Sequence, residues 1–366
     1  MDGRWWRRLT GVMTLLAVCA SLARAIQGSA EEAETRPRTR KVRNADAVTR
    51  GLDMNEEKPL PLNMNIVMPT MGGKQLWTDE WIHGDYRIQR NVLTGHYRLL
   101  DDNDQRLAWG TLGQCQTRFA QVRQERSVAP LRGKVVVLLH GLGRSRVVMA
   151  GIADYLRKEG GYTPIAMNYA STREGVDCHA AALAKVIQHL SESSEVTELN
   201  FVAHSLGNIV LRHYLADCER EQVEANRLKV HRIVMLGPPN NGAEIARKLH
   251  ATGLFGVVVG PSGKALGNDW ESLVGDLATP KCEFGIIAGG RGDEKGNNPL
   301  LSGDDDLVVT VEETRLEGAA DFLLASASHS GLLKDQNVHA ATLRFLREGH
   351  FRALGMRDPI RGGDAK

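Results

Sequence analysis

"ELNFVAHSLGN", residues 198–208, runs from a β-prone stretch straight into a helical one, with Ser205 at the junction. A serine there has two readings. It can start a helix, its side-chain oxygen accepting a hydrogen bond from a free N–H of the first turn. It can also be a nucleophile, held where a strand turns directly into a helix. The second reading needs small neighbours so that the chains can pass, and Ala203 and Gly207 are small. The stretch alone leaves both open, and the surrounding chain decides between them.

Outward from this point, strands and helices alternate. Upstream, "KVVVLLH" (134–140) and "TPIAMNY" (163–169) are aliphatic runs suited to strands buried on both faces. Helical patterns fill 147–159 and 176–190. Downstream, strands are expected at 230–236, 282–289 and 320–326, with helices at 206–218, 242–250 and 331–349. This order predicts an α/β fold, a mainly parallel central sheet with helices on both faces. Ligands in such sheets sit at the carboxyl ends of the strands, which is where chemistry is to be sought.

Ser205 stands at one such end, and the helix that follows directs its dipole and free N–H groups towards an oxyanion. A serine nucleophile needs a base, and His329 follows the last strand in "SASHSGLL". His140, His204 and His213 are rivals, two flanking strand-end loops and one lying inside a helix. The base needs an orienting acid. "SGDDDLVVT" offers Asp304, Asp305 and Asp306, a run that also suits a solvated turn or a calcium loop. Asp306 is chosen because Leu307, Val308 and Val309 follow it and should anchor it to the core. Asp305 is the alternate and Asp293 the third choice. "LLHGLGRS" follows the first parallel strand and places the backbone N–H of Leu142 as one oxyanion donor. The N–H of Leu206, after the nucleophile, is the other. The nucleotide-binding patterns GxGxxG and GxxxxGK[ST] are absent.

"HGLG", "AHSLGN", "DDDLVV" and "SHSGLL" together resemble the α/β-hydrolase superfamily, and within it small bacterial triacylglycerol lipases whose elbow also begins with alanine. The resemblance covers roughly 133–350. It implies an α/β-hydrolase fold and ester hydrolysis through an acyl-enzyme on Ser205, Asp306 and His329, with no cofactor and no metal. "GPPNNGAEIA" (237–246) is similar to a lipase segment usually written Thr-Pro-His-x-Gly, with Pro239 and Asn240 departing from it.

The remainder bounds the partners. Of 366 residues, 46 are Lys or Arg and 44 Asp or Glu, a net charge of +2 that gives no pull towards nucleic acid. Residues 1–25 have arginines at 4, 7 and 8, then an apolar run and Ala23-Arg24-Ala25, the layout of a signal peptide. Export to the periplasm or beyond is expected, or anchoring to the membrane if the segment is not cleaved. Residues 26–74 are charged and poor in aromatics and read as a flexible linker. Residues 75–128 read as β-hairpins, either leading strands of the main sheet or a small separate layer, ending in a short polar helix at 115–127. The hydrolase domain is placed at 129–352 and a flexible tail at 353–366. Cys115, Cys178, Cys218 and Cys282 allow three disulfide pairings or four separate thiols. The apolar Leu254, Phe255, Val257, Val258 and Val259 read as either a flap admitting an acyl chain or a buried plug. An ester or lipid substrate, with peripheral membrane contact, is the partner expected; oligomeric state stays open. Two other functions remain in play: an acyltransferase or glycolipid-anchor deacylase on the same triad, and a non-catalytic binding protein on a hydrolase fold.

Overall fold

A computed structural model describes residues 75–220, 228–250 and 255–362. The signal-peptide and linker segments, Leu254, and the side chains of residues 255–259 lie outside the described residues.

The aliphatic runs form the centre of the molecule. Strands β5 (Gly133–Leu139), β6 (Thr163–Met167), β7 (Val196–His204), β8 (Val230–Leu236), β9 (Glu283–Gly289) and β10 (Asp321–Ala325) make a six-stranded sheet in the order β6-β5-β7-β8-β9-β10. Every pairing is parallel. One face of alternating residues, including Val136, Leu138, Val202, Val234 and Ile287, packs on helices α2 (Ala150–Gly160) and α9 (Gln336–Glu348) through Ile152, Leu156, Leu343 and Phe345. The opposite set, Val135, Val137, Phe201 and Ile233, is equally buried. On the sheet's flanks α3 (Val176–Ser191) packs with α4 (Leu206–Arg220), and α4 lies against β5 and β7. The connection from β8 to β9 carries α5 (Glu244–His250), α6 (Phe255–Ala265) and α7 (Trp270–Val274); α8 (Val311–Thr314) lies between β9 and β10. Helix α6 is broken at Gly260, whose φ of 65° precedes Pro261.

Ahead of this sheet, β1 (Trp77–His83), β2 (Tyr86–Asn91), β3 (Tyr97–Leu100) and β4 (Arg106–Gly110) form a separate four-stranded antiparallel meander. Helix α1 (Leu112–Glu125) covers it, with Cys115, Phe119 and Val122 packed on Tyr86, Ile88 and Leu99. This helix starts earlier than the sequence reading, because Thr111 and Gln114 form a reciprocal capping box. Nor is it merely polar: its buried residues at i, i+4 and i+7 make a small second core. The closing helix starts later than expected, at Gln336, because the Asp335 side chain accepts from the N–H groups of Asn337 and Val338. Residues 353–362, expected within a flexible tail, are pinned: Ile360 is buried, donates its N–H to Ala319 O and accepts from Gly318 N–H, each at 3.0 Å.

The two sheets meet at a buried carboxylate. The Asp79 backbone N–H donates to Asn168 O just past β6, at 2.8 Å. Its side chain accepts from Arg87 and Gln89 at 2.7 Å each and from Asn168 N–H at 2.7 Å. Asp79 is fully buried and Arg87 nearly so. Removing one partner of such a pair strands the other charge away from water. Asp79→Ala is therefore expected to cost about 3–5 kcal/mol of stability, measured by chemical denaturation, far more than loss of an exposed pair.

Cys115, Cys178, Cys218 and Cys282 are all unbridged. Among the described residues no helix is long and apolar enough to cross a membrane, and no cluster of His, Cys, Asp and Glu could hold a metal ion.

Candidate active site

Ser205 sits between the end of β7 and the first residue of α4 with φ of +54°. An N-cap residue has extended dihedrals, so this serine is not capping the helix in the ordinary way. A non-glycine residue at positive φ is strained, and such strain persists only where neighbours enforce it. Here they do. Ser205 N–H donates to Leu236 O at the end of β8, at 2.9 Å, and Ser205 O accepts from both the backbone and side chain of Asn208, at 3.0 and 3.1 Å. Gly207 lets the helix start close to β5, since a Cβ there would stand 2.7 Å from Leu139 O.

Asp306 and His329, in the loops that follow β9 and β10, meet each other. His329 Nδ1 lies 2.6 Å from Asp306 Oδ2, and His329 N–H donates to Asp306 O at 2.8 Å. The other carboxylate oxygen of Asp306 accepts from Val308 N–H and Val309 N–H at 3.0 and 2.8 Å. Asp306 is fully buried and the His329 side chain is 11% exposed, so one edge of the imidazole faces the buried acid while a little of the ring stays open. Gly237, at φ of 51° just past β8, makes room for it: a Cβ there would stand 3.1 Å from His329 Nδ1. Asp305, also buried, instead accepts from the N–H groups of Asn297, Asn298 and Leu307. Asp304 accepts from Arg291 and Gly292 N–H, and Asp293 from Lys295 and Gly296 N–H. These three acids stitch the loop and none meets His329.

Leu142 lies in the turn after β5. A Cβ built on the adjacent Gly141 would stand 3.0 Å from Ser205 Cβ, so this loop crosses directly over the serine. The turn is held from two directions. Gly143 N–H donates to Ser171 Oγ at 3.0 Å, and Arg144 donates to Ser330 Oγ, next to His329, at 2.9 Å. Gln75 joins this set, donating to Arg144 O at 2.5 Å and accepting from Ser171 and Thr172 hydroxyls at 3.3 and 3.1 Å.

The family described as "Putative serine esterase (DUF676)" matches residues 132–254, which span β5 to the start of the β8–β9 connection. No match was found among curated protein sequences. Among solved structures, the mature Bacillus licheniformis lipase BlEst2 is 16% identical over 58% of this chain and 91% of its own, with a TM-score of 0.45. The Pyrococcus furiosus esterase PF2001 is 14% identical over 77% of this chain and 95% of its own, at 0.41. The Legionella pneumophila phospholipase PlaB is 17% identical over 59% of each chain, at 0.46. The parallel sheet with a strained serine at its strand-to-helix elbow decides the class. This chain has an α/β-hydrolase fold.

Several groups around the α/β-hydrolase elbow were not legible in the sequence. His204, a rival base in the sequence reading, turns away from the serine hydroxyl: its Nε2 lies 2.9 Å from His329 O, to which it donates. His213 pairs with Asp217 instead, at 3.0 Å. His140 and Tyr169 stack face to face beneath the Leu142 loop, centroids 4.0 Å apart. Tyr169 ends a strand run and Arg144 follows a glycine turn, so only their places at strand ends could have signalled them.

Burial keeps the inner histidines neutral. It pushes His140 down to about 4 and His179, beyond Tyr169, to about 3, from an ordinary 6.5. Burial also holds His204 well below that value, helped by the nearby His329. Unfolded, each takes a proton near pH 6.5; folded, each resists it. Their contribution to stability is thus complete above 6.5 and is lost as pH falls from 6.5 towards about 3. The melting temperature should drop through that window, and His179→Leu should flatten the drop.

Proposed function

We propose that the protein is an exported serine esterase that cleaves carboxylic esters of lipid-like substrates through an acyl-enzyme. The observation that carries this is the pairing of a strained Ser205 with the 2.6 Å Asp306–His329 contact at the same edge of the sheet. Ser205 Oγ attacks the ester carbonyl while His329 Nε2 takes its proton; Asp306 holds the ring so that Nε2 faces the serine and stabilises the imidazolium. The tetrahedral oxyanion is received by the N–H groups of Leu142 and Leu206. Its collapse breaks the bond to the alcohol, which leaves with the proton from His329. Water then attacks the acyl-enzyme by the same route and releases the acid and free Ser205.

Two further observations support the substrate class and the location. Leu307, beside Asp306, is 44% exposed with φ of 86°, an apolar side chain on the rim where an acyl chain would enter. Residues 1–25 have signal-peptide character, which supports export and contact with lipid at a membrane surface.

The test is a series of p-nitrophenyl esters from acetyl to palmitoyl, together with a fluorophosphonate probe. The reading expects labelling of Ser205 and kcat/KM rising from acetyl to medium chains. Absence of both labelling and hydrolysis would sink it. Faster acyl transfer to an added alcohol than to water would move the assignment to an acyltransferase.

A further inference from the structure

The geometry points to Tyr169 and His140 as a buried brace that aims the oxyanion donor, making both of them positioning residues for ester hydrolysis. The inference rests on the esterase reading above and adds to it the part of the fold that sets the direction of the Leu142 N–H.

The brace can be followed atom by atom. Tyr169 lies two residues past β6, and both it and His140 are fully buried. Tyr169 N–H donates to His140 Nε2 at 3.3 Å. That nitrogen therefore carries no proton, and the proton of the neutral ring sits on Nδ1. His140 Nδ1–H in turn donates to Gly141 O at 2.9 Å. The Tyr169 hydroxyl donates to His140 O. The rings are nearly parallel, 10° apart, so neither can rotate without losing the stack.

The two carbonyls so held belong to consecutive peptide units. Each unit is planar and trans, so its N–H points opposite to its C=O. Fixing Gly141 C=O therefore fixes the direction of Leu142 N–H, and fixing His140 C=O fixes the peptide before it. Arg144 N–H also reaches Gly141 O, at 3.2 Å, so the turn keeps one restraint if the imidazole is lost. Water cannot substitute easily, because every atom of the brace is buried, and hydrogen bonds there are stronger than at a surface. Catalysis by an oxyanion hole depends on donors that are already aimed before charge develops.

The test uses His140→Phe, which keeps the stack but loses both nitrogens; His140→Asn, whose amide can still donate to Gly141 O; and Tyr169→Phe, which loses only the hydroxyl. For each, kcat and KM are measured per probe-titrated site, with the inhibition constant of a trifluoromethyl ketone and the melting temperature. His140→Phe is expected to lower kcat about tenfold, less than the roughly 100-fold or more of losing a donor outright. KM should stay within about twofold, and the ketone should bind about tenfold more weakly, as for an interaction made only in the transition state. His140→Asn should recover most of the loss, and Tyr169→Phe should show the same pattern at about threefold. If the variants melt earlier but keep wild-type kcat and ketone affinity per titrated site, the brace is only structural and the inference is overturned. Should His140→Phe fail to fold, the other two variants decide by the same criteria. A wild-type chain that neither hydrolyses esters nor takes up the probe overturns the esterase reading, and this inference falls with it.

Discussion

Ser205→Ala is expected to lower ester turnover by about a millionfold while leaving KM and the melting temperature close to wild type. The size follows from the chemistry. Without Oγ no acyl-enzyme forms, and any residual rate comes from water attacking a carbonyl held by the oxyanion donors. The fold should tolerate the change: the backbone bonds that hold residue 205, to Leu236 O and from Asn208, do not involve its hydroxyl. Turnover is read with a medium-chain chromogenic ester, and stability by thermal melting. A variant that keeps even one-hundredth of wild-type activity would show that another nucleophile does the work.

The second large effect separates three adjacent carboxylates. Asp306→Asn should lower kcat about ten-thousandfold, because an amide facing His329 Nδ1 favours the wrong tautomer and no longer stabilises the imidazolium. Its fold should survive, since the amide oxygen can still accept from the N–H groups of Val308 and Val309. Asp305→Asn should behave in the opposite way. Its carboxylate accepts from backbone N–H groups at Asn297, Asn298 and Leu307, so its change should weaken the loop and the melting temperature with a lesser effect on kcat. Asp304→Asn, on bonds to Arg291 and Gly292, should do least. Equal activity in all three would remove the acid from the proposal.

The parallel sheet was readable because strands buried on both faces are written as unbroken aliphatic runs, and Val135 to Leu139 are such a run. Ser205 was readable as an elbow because Ala203 and Gly207 are small, although the sequence could not show its positive φ. Asp306 was picked for its apolar neighbours, and part of that anchor holds, since Val309 is buried. Leu307 is exposed, and it is the backbone of Val308 and Val309 that grips the carboxylate. What stayed hidden depends on contacts between residues far apart in the chain. The Asp79 junction joins residues 89 positions apart, and no local pattern reports that a carboxylate will be buried with an arginine and a loop amide. The meander ahead of the sheet was legible as strands, yet its docking could not be. Helix starts moved for a simpler reason: one capping side chain, Thr111 or Asp335, overrides the periodicity around it.

Gln75 gives the architecture a mechanical meaning. This residue precedes β1, and its amide grips the backbone of Arg144 and the hydroxyls of Ser171 and Thr172. The polypeptide leading out towards the N-terminus therefore leaves the folded body beside the rim where ester would be cleaved, instead of at the far side of the molecule. Gln75 thus straps the first described residues to the Arg144 turn and the Ser171–Thr172 loop, so loosening that strap is expected to reach the Leu142 turn before the sheet behind it is disturbed.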